Sequence, residues 1–375
     1  MNGVGMKKIL ITATTMCHIC HFHLPYMKMY RERGYEVHVA AYNNLDVKPG
    51  LEIKWADKVF DLPFSRSPLG RGNLVAKRQL KKIIDAEDYE LIICNTPICG
   101  VITRMAAKKA RKRGTRVIYF AHGFHFYKGA PKKYWLTFYP IEKHYAKKCD
   151  MIITINEEDY LTAKAKFKTD VRRIHGAGVD EARHYPPSEE ERKGIRRELN
   201  LTDEDFVCLC TGELNRNKNQ IELIRLVSDI RKRIPTFKLW LAGNGPLEEE
   251  LKAAILELGV GDCVTMLGYR YDLEKYIRAC DIVASASRRE GVPFNVIEAQ
   301  LTARPVVVSE NRGHRELVRD GVTGLMGDGK FLENIVRLYE DRALYKSIAD
   351  AALEFIQKYT VSSVKKELLE VLFGE

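Results

Sequence analysis

Ten short apolar runs, each bounded by turn residues and separated by helix-like spacing, constrain the fold of this 375-residue chain most strongly. They are residues 8–13, 37–41, 91–95, 116–121 and 151–154, then 206–211, 238–242, 264–267, 281–286 and 305–309. Runs without polar alternation fit strands covered on both faces, as in a parallel sheet. Helical patterns such as 24–33 and 221–233 fall between them. The expectation is an α/β chain with parallel, doubly wound, Rossmann-like sheets. One hydrophobic core rarely organises so long a chain, so two domains are expected, 1–183 and 184–356, followed by a helical segment 357–375. The boundary is placed within 182–205, which holds Pro186-Pro187, many charges and few large apolar residues. The last helical pattern reads as continuous from 347 to 375, and no internal repeat or low-complexity tract is visible.

The run 281–286 leads through Arg288-Arg289-Glu290-Gly291-Val292-Pro293 into a short helix carrying Phe294, Asn295, Val296, Ile297 and Glu298. Pro293 suits a first helical turn, Gly291 lets backbone approach a ligand closely, and Val292 beside it is placed in the donor site. The N–H groups of Phe294 and Asn295 can then face a diphosphate. A carboxylate at Glu290 would be repelled by phosphate unless it accepted hydrogen bonds from sugar hydroxyls. Glu298, one turn in, can accept from both hydroxyls of a ribose. The competing reading is a surface loop with Glu290 solvated and Glu298 on an exposed helix face.

These residues, with Asn-Gly-Pro-Leu-Glu-Glu-Glu-Leu at 244–251, Leu-Gly-Tyr-Arg at 267–270, Arg-Pro-Val-Val-Val-Ser at 304–309 and Asp-Gly-Val-Thr-Gly-Leu at 320–325, make the chain resemble the family 4 retaining glycosyltransferases of the GT-B fold. The resemblance covers nearly the whole length. It implies two Rossmann-like domains facing across a cleft, and a final helix that crosses back onto the first. Glu290 and Glu298 fall on the family's Glu-x7-Glu element. After the run 206–211 the family places Gly-Arg-Leu and then a lysine, both cations touching the donor diphosphate. Here Gly212 and Lys218 match, but Glu213 stands at the arginine, so either Arg216 supplies that charge or Asn215 replaces it with neutral hydrogen bonds. Glu213 itself must turn away or pair with Arg216 or Lys218.

The resemblance also puts a histidine after the run 116–121, facing the sugar. His122, followed by Gly123, takes that place, with His125 in reserve. The family's first glycine-rich loop is replaced by 16–23, read as a turn contributing His18 and His21 to the acceptor side, with Cys17 and Cys20 as small buried residues. Zinc is not expected there, because one Cys-x2-Cys pair lacks a second at finger-like spacing. Nor is it expected at Asp203-Glu204-Asp205, which reads as a solvated turn before a strand. With diphosphate charge met by Lys218 and a helix terminus, no metal and no cofactor is obligatory, and the nucleotide sugar is a substrate.

Charge is lopsided: residues 1–183 hold 33 Lys and Arg against 18 Asp and Glu, while the remainder is slightly acidic. The densest runs are 104–116 and 128–148, the latter interleaved with aromatics, which suits an anionic membrane surface. A solvated helix face is the competing reading. No motif for specific nucleic-acid binding is present. Nine scattered cysteines are an odd number and no disulfide framework, implying a reducing compartment. The basic opening 1–8 runs into Ile9-Leu10-Ile11, but histidines cut the apolar stretch short of a signal sequence, and no run reaches the roughly 20 residues of a membrane span. A cytoplasmic enzyme, peripheral at the inner membrane face, is expected.

The expected reaction moves a hexose or N-acetylhexosamine from a nucleotide diphosphate sugar, UDP in the first place, to an acceptor hydroxyl. Retention of configuration and a polyprenyl-linked saccharide acceptor, in capsule, exopolysaccharide or other surface glycan synthesis, follow from the resemblance. Two readings stay open beside it: a nucleotide-sugar 2-epimerase of the same architecture, and a non-enzymatic basic protein that binds nucleic acid or membrane.

Overall fold

A computed structural model describes residues 6–47 and 50–375; residues 1–5 of the basic opening lie outside the described residues. The chain divides into two compact units, Met1–Gly178 with Val364–Glu375, and Val179–Ser363. In unit 1 the strands are β1 (Lys8–Thr15), β2 (Glu36–Tyr42), β3 (Lys58–Asp61), β4 (Tyr89–Asn95), β5 (Arg116–Ala121), β6 (Met151–Thr154) and β7 (Asp170–Arg173). They form one sheet in the order β3-β2-β1-β4-β5-β6-β7, and every pairing is parallel. Ile9, Ile92, Ile93, Val117 and Ile118 are buried in its centre, as their unbroken apolar runs require.

Unit 2 carries β8 (Phe206–Thr211), β9 (Phe237–Ala242), β10 (Val264–Gly268), β11 (Ile282–Ser285), β12 (Val306–Val308) and β13 (Leu325–Met326) in the order β10-β9-β8-β11-β12-β13, again all parallel. Each sheet reverses its winding beside its first strand, between β1 and β4 and between β8 and β11. Loops leaving the carboxyl ends of strands at such a reversal form the usual ligand crevice of open α/β sheets.

The edge strands β3, β7 and β13 were not legible as apolar runs. Two of the four residues of β7 are arginine, and β3 is largely exposed. The segment 182–205 is not a linker: it contains the helix Glu189–Glu198, which belongs to unit 2. That helix is anchored by charge. Arg192 Nη2 and Arg196 Nη1 reach the Asp281 carboxylate at 2.7 and 3.3 Å, and Arg196 Nη2 donates to the carbonyls of Thr202 and Asp205 at 2.7 and 2.6 Å. Arg196 is fully buried, so a hydrophobic pattern could not reveal this docking.

Asp205 is buried too, accepting from Thr202 N and Lys238 Nζ. The expectation of a solvated turn fails there, since this carboxylate closes the turn that starts β8.

The segment 347–375 is also not one helix. Arg342–Ile356 ends in the short 3-10 turn Gln357–Tyr359, and a new helix, Val361–Phe373, follows. This last helix buries Val364, Leu368 and Leu372. Within unit 1, Glu367 accepts from His175 N and Nδ1 at 2.8 and 2.6 Å, and the Leu372 carbonyl accepts from Arg116 at 2.6 Å. Among the described residues no helix is long and apolar enough to cross a membrane.

Candidate active site

In unit 2 the loops after β8, β11 and β12 stand side by side because those strands are neighbours. β8 ends at Thr211, and Gly212 turns the chain at φ +138°, a conformation that favours glycine. Asn215 then organises the loop: its Oδ1 accepts from the N–H groups of Asn217 and Lys218 at 3.0 and 2.9 Å, while its Nδ2 donates to the Glu213 carboxylate at 2.8 Å. Glu213 therefore turns to a neutral amide, not to a cation, and Arg216 is exposed. Lys218 folds back over Gly212, whose missing side chain makes the room: a Cβ there would stand 3.1 Å from Lys218 Cε. Lys218 Nζ donates to Glu290 Oε1 at 2.6 Å, joining the β8 loop to the β11 loop through a pair largely withdrawn from solvent.

The β11 loop is pinned by the β12 loop. Ser309 Oγ and Asn311 Nδ2 donate to the Ser287 carbonyl at 2.6 and 2.8 Å. Asn311 Oδ1 caps the helix Arg312–Leu317, accepting from Gly313 N and His314 N. Gly313 lies against Glu290: a Cβ there would be 2.5 Å from Glu290 Cβ and 2.8 Å from the Gly291 carbonyl oxygen. The Gly291 carbonyl thus lies against this helix. His314 is fully buried, with Nδ1 2.7 Å from the Ser309 carbonyl and Nε2 3.1 Å from Ser285 Oγ. Nδ1 also stands 2.8 Å from Asn311 Nδ2, so it lies between a carbonyl that only accepts and an amide nitrogen that only donates. Burial holds this imidazole down to about 4, so it is a neutral spacer behind Glu290 and Lys218. The sequence reading missed Asn311, Gly313 and His314, although the run Asn-Arg-Gly-His soon after a strand, with asparagine at a helix start, was a usable signal.

Pro293 caps the helix Phe294–Leu301 and does not lie inside its first turn. Val292 and Asn295 are buried, and Asn295 Nδ2 donates to the Thr211 carbonyl at 3.4 Å, tying this helix start to the end of β8. Phe294 and Asn295 form the positive end of the helix. Glu298 sits one turn on, half-buried, 4.0 Å from His184 Nε2. Burial pushes its carboxyl up to about 7, opposed by Arg183 and reinforced by Glu274.

In unit 1 the residues 16–23, expected as a turn, form the helix Met16–Phe22. Cys17 and Cys20 are buried as expected, and burial pushes the Cys20 thiol up to about 11. His18 on this helix meets His122, the residue after β5, with their Nε2 atoms 3.2 Å apart. His122 Nε2 is also 3.1 Å from Asn95 Oδ1 at the end of β4. Gly123 takes φ +142° and lets the chain leave β5 sharply. His21 is exposed and stands outside this cluster, and its place is taken by His23, which the sequence reading did not choose. His125 stacks on Phe138 at 4.3 Å. Together with His18, Arg66, Thr14 and Thr96 this pair lines a cavity of about 370 Å³.

The chain matches Glycosyltransferase Family 4 over residues 27–183 and Glycosyl transferases group 1 over residues 191–355. It is 38% identical over 371 residues to EpsD of Bacillus subtilis (strain 168), a protein named for glycosyltransferase activity, covering 97% of this chain and 96% of that one. The chain belongs to the family 4 glycosyltransferases and has the GT-B fold. A second relative of this glycosyltransferase is the UDP-Gal:alpha-D-GlcNAc-diphosphoundecaprenol alpha-1,3-galactosyltransferase of Escherichia coli, 26% identical over 276 residues, 71% of this chain and 70% of that protein. Among solved structures, Anabaena HepE in complex with UDP and glucose matches with TM-score 0.79 at 23% identity, over 98% of this chain and 100% of that one. WaaG, a glycosyltransferase involved in lipopolysaccharide biosynthesis, matches with TM-score 0.74 at 13% identity, over 98% of this chain and 100% of its own. At such identities these likenesses speak for the fold. Family membership decides for glycosyl transfer over the epimerase and the non-enzymatic readings.

Proposed function

We propose that this glycosyltransferase moves a hexose or N-acetylhexosamine from a UDP-sugar to a hydroxyl of a polyprenyl-diphosphate-linked saccharide during surface-glycan synthesis, with retention of configuration. The observation that carries the donor side is the 2.6 Å contact between Lys218 and Glu290 at the carboxyl ends of β8 and β11. An ammonium has three donors, so one spent on Glu290 leaves two for a diphosphate. Glu290 fixes the lysine and offers its second oxygen to sugar hydroxyls. As the glycosidic bond breaks, negative charge grows on the leaving diphosphate, where Lys218 and the N-terminus of the helix Phe294–Leu301 stabilise it. Gly212, Asn215 and Arg216 frame this phosphate site, and Gly291 and Val292 shape its far wall. Glu298 receives the ribose hydroxyls as an ionised carboxylate. Nothing in this donor scheme requires a divalent cation at the diphosphate.

His122, His18 and His125 are assigned to the acceptor side on unit 1. The UDP and glucose bound by the HepE fold relative, and the diphosphoundecaprenol acceptor named for the Escherichia coli relative, support the substrate classes.

A lipid-linked acceptor also calls for membrane contact from the cytoplasmic side. The two basic runs of the sequence converge on one groove of about 670 Å³, lined by Lys77, Lys108, Arg111, Lys112, Lys147 and Lys148 among others. Exposed Leu74, Met105, Leu136 and Ile141 lie on the helices that supply it. Cations with apolar tips suit an anionic bilayer surface.

The deciding experiment incubates the protein with UDP-glucose, UDP-galactose and UDP-N-acetylglucosamine, with and without a polyprenyl-diphosphate monosaccharide. Transfer dependent on acceptor, with the donor's anomeric configuration kept in the product, supports the reading. Altered sugar still attached to nucleotide without acceptor would refute it.

A further inference from the structure

We propose that His18, His23 and His122 form a binding site for one divalent transition-metal ion, zinc above all, at the carboxyl ends of β1 and β5 in unit 1. Their ligating nitrogens all lie within 4.8 Å of one another. The Nε2 atoms of His18 and His122 are 3.2 Å apart. Two nitrogens bound to one tetrahedral zinc at about 2.0–2.1 Å stand roughly 3.3–3.4 Å from each other, so this pair is already at chelating distance. The rings do not stack on one another: the His18 and His122 planes cross at 82°, and those of His23 and His122 at 80°. Edge-on rings can aim lone pairs at a common point.

His23 supplies the independent observation. It is 3% exposed, and its Nε2 is buried with no hydrogen bond of proper geometry among the described residues. A buried imidazole nitrogen without a partner costs free energy unless something binds it. Asn95 Nδ2 donates to the Thr12 carbonyl at 3.1 Å, which turns its Oδ1 to within 3.1 Å of His122 Nε2 itself, so this amide oxygen stands beside the ion's place and not behind a ligand.

Three neutral ligands leave the ion's charge uncompensated and a coordination position open, as in zinc sites that hold an exchangeable oxygen ligand. His18 also lines the 370 Å³ cavity with Thr14, Thr96 and Arg66, a space able to take a hydroxyl or phosphate oxygen beside the site. The site excludes Cys17 and Cys20 and runs against the metal-free expectation drawn from the sequence. The proposal rests on unit 1 alone, and its test does not read transferase activity.

The full chain, stripped with chelator and desalted, is titrated with Zn²⁺ under equilibrium dialysis and with Co²⁺ under visible absorption. Binding of one ion per chain, with the ligand-field bands of a four-coordinate, nitrogen-ligated cobalt ion, is expected. Replacing an outer partner of a metal ligand costs 10–100-fold in affinity, so His23→Ala and His122→Ala should each lose roughly 100-fold or more. His21→Ala and Cys17→Ser with Cys20→Ser should bind as the parent does. Absence of stoichiometric ion or of a cobalt spectrum in the parent protein would overturn the proposal whatever the variants do. So would undiminished binding by a folded His23→Ala, or loss of binding in the cysteine variant.

Discussion

Lys218→Ala tests the donor site most directly, because the structure holds this side chain from three directions. Its N–H is bound by Asn215 Oδ1, its stem lies on Gly212 and its ammonium lies 2.6 Å from Glu290. The lysine and glutamate side chains retain 22% and 13% of their exposure. A charged hydrogen bond in that setting is worth about 1.5–3 kcal/mol before screening, and nearer 1 kcal/mol after it. Glu290 would be left without its cation, so a modest fall in melting temperature is expected, partly relieved in Lys218→Ala with Glu290→Ala.

The catalytic loss should be larger. Removing one preorganised group that stabilises developing negative charge costs roughly 100–1,000-fold in kcat, about 3–4 kcal/mol. UDP affinity should fall less, since charge on the leaving diphosphate grows in the transition state. Initial rates of UDP release give kcat and KM, calorimetry gives UDP affinity, and circular dichroism confirms folding. A folded Lys218→Ala within about threefold of the parent in kcat/KM, under 1 kcal/mol, would refute the leaving-group assignment. Greater damage from Arg216→Ala would move the dominant phosphate cation to that exposed arginine.

Gly313→Ala places a methyl group 2.5 Å from Glu290 Cβ, so turnover should drop about tenfold or more while the fold survives, and unchanged kinetics would show that the β11 loop yields freely. For Glu298 the folded carboxyl, raised to about 7, exceeds its unfolded value, so its contribution to stability is full in acid and is lost as pH rises through about 7. Ribose binding needs the ionised form, so the ratio of UDP affinities, parent over Glu298→Gln, should climb between about pH 6 and about pH 8; a flat ratio would sink the ribose assignment. Vesicle binding should require anionic lipid and weaken as salt shortens the Debye length from about 8 Å at physiological strength, and charge reversal at Lys108, Arg111 and Lys112 should reduce it. Equal binding to neutral vesicles would leave the basic groove merely solvated.

What could be read from the chain was whatever hydrophobicity encodes. Central strands such as Arg116–Ala121, Met151–Thr154 and Phe206–Thr211 announced themselves because both faces are buried. The helix Glu189–Glu198 was hidden because arginines, not leucines, anchor it. Glu290, Glu298 and Lys218 could be named from spacing and resemblance, but the 2.6 Å contact between Lys218 and Glu290 joins residues far apart in sequence. Gly313 and His314 escaped for the same reason: what they touch is set by the adjacency of β11 and β12, a property of strand order. His23 escaped because its neighbour His122 arrives from another strand end.

The last helix belongs to the first unit, and this shapes how the protein is made. Unit 1 is written in two pieces, with all of Val179–Ser363 between them. At about 5–20 residues per second, a ribosome needs on the order of ten to forty seconds to read that insert. During this time the surface that Val364, Leu368 and Leu372 will cover stays open, while unit 2 already has its whole sequence. The half of the enzyme begun first is therefore finished second, and the nascent chain carries an exposed apolar groove that chaperones and proteases can find. A stop codon just before Val364 would injure the unit at the opposite end of the gene.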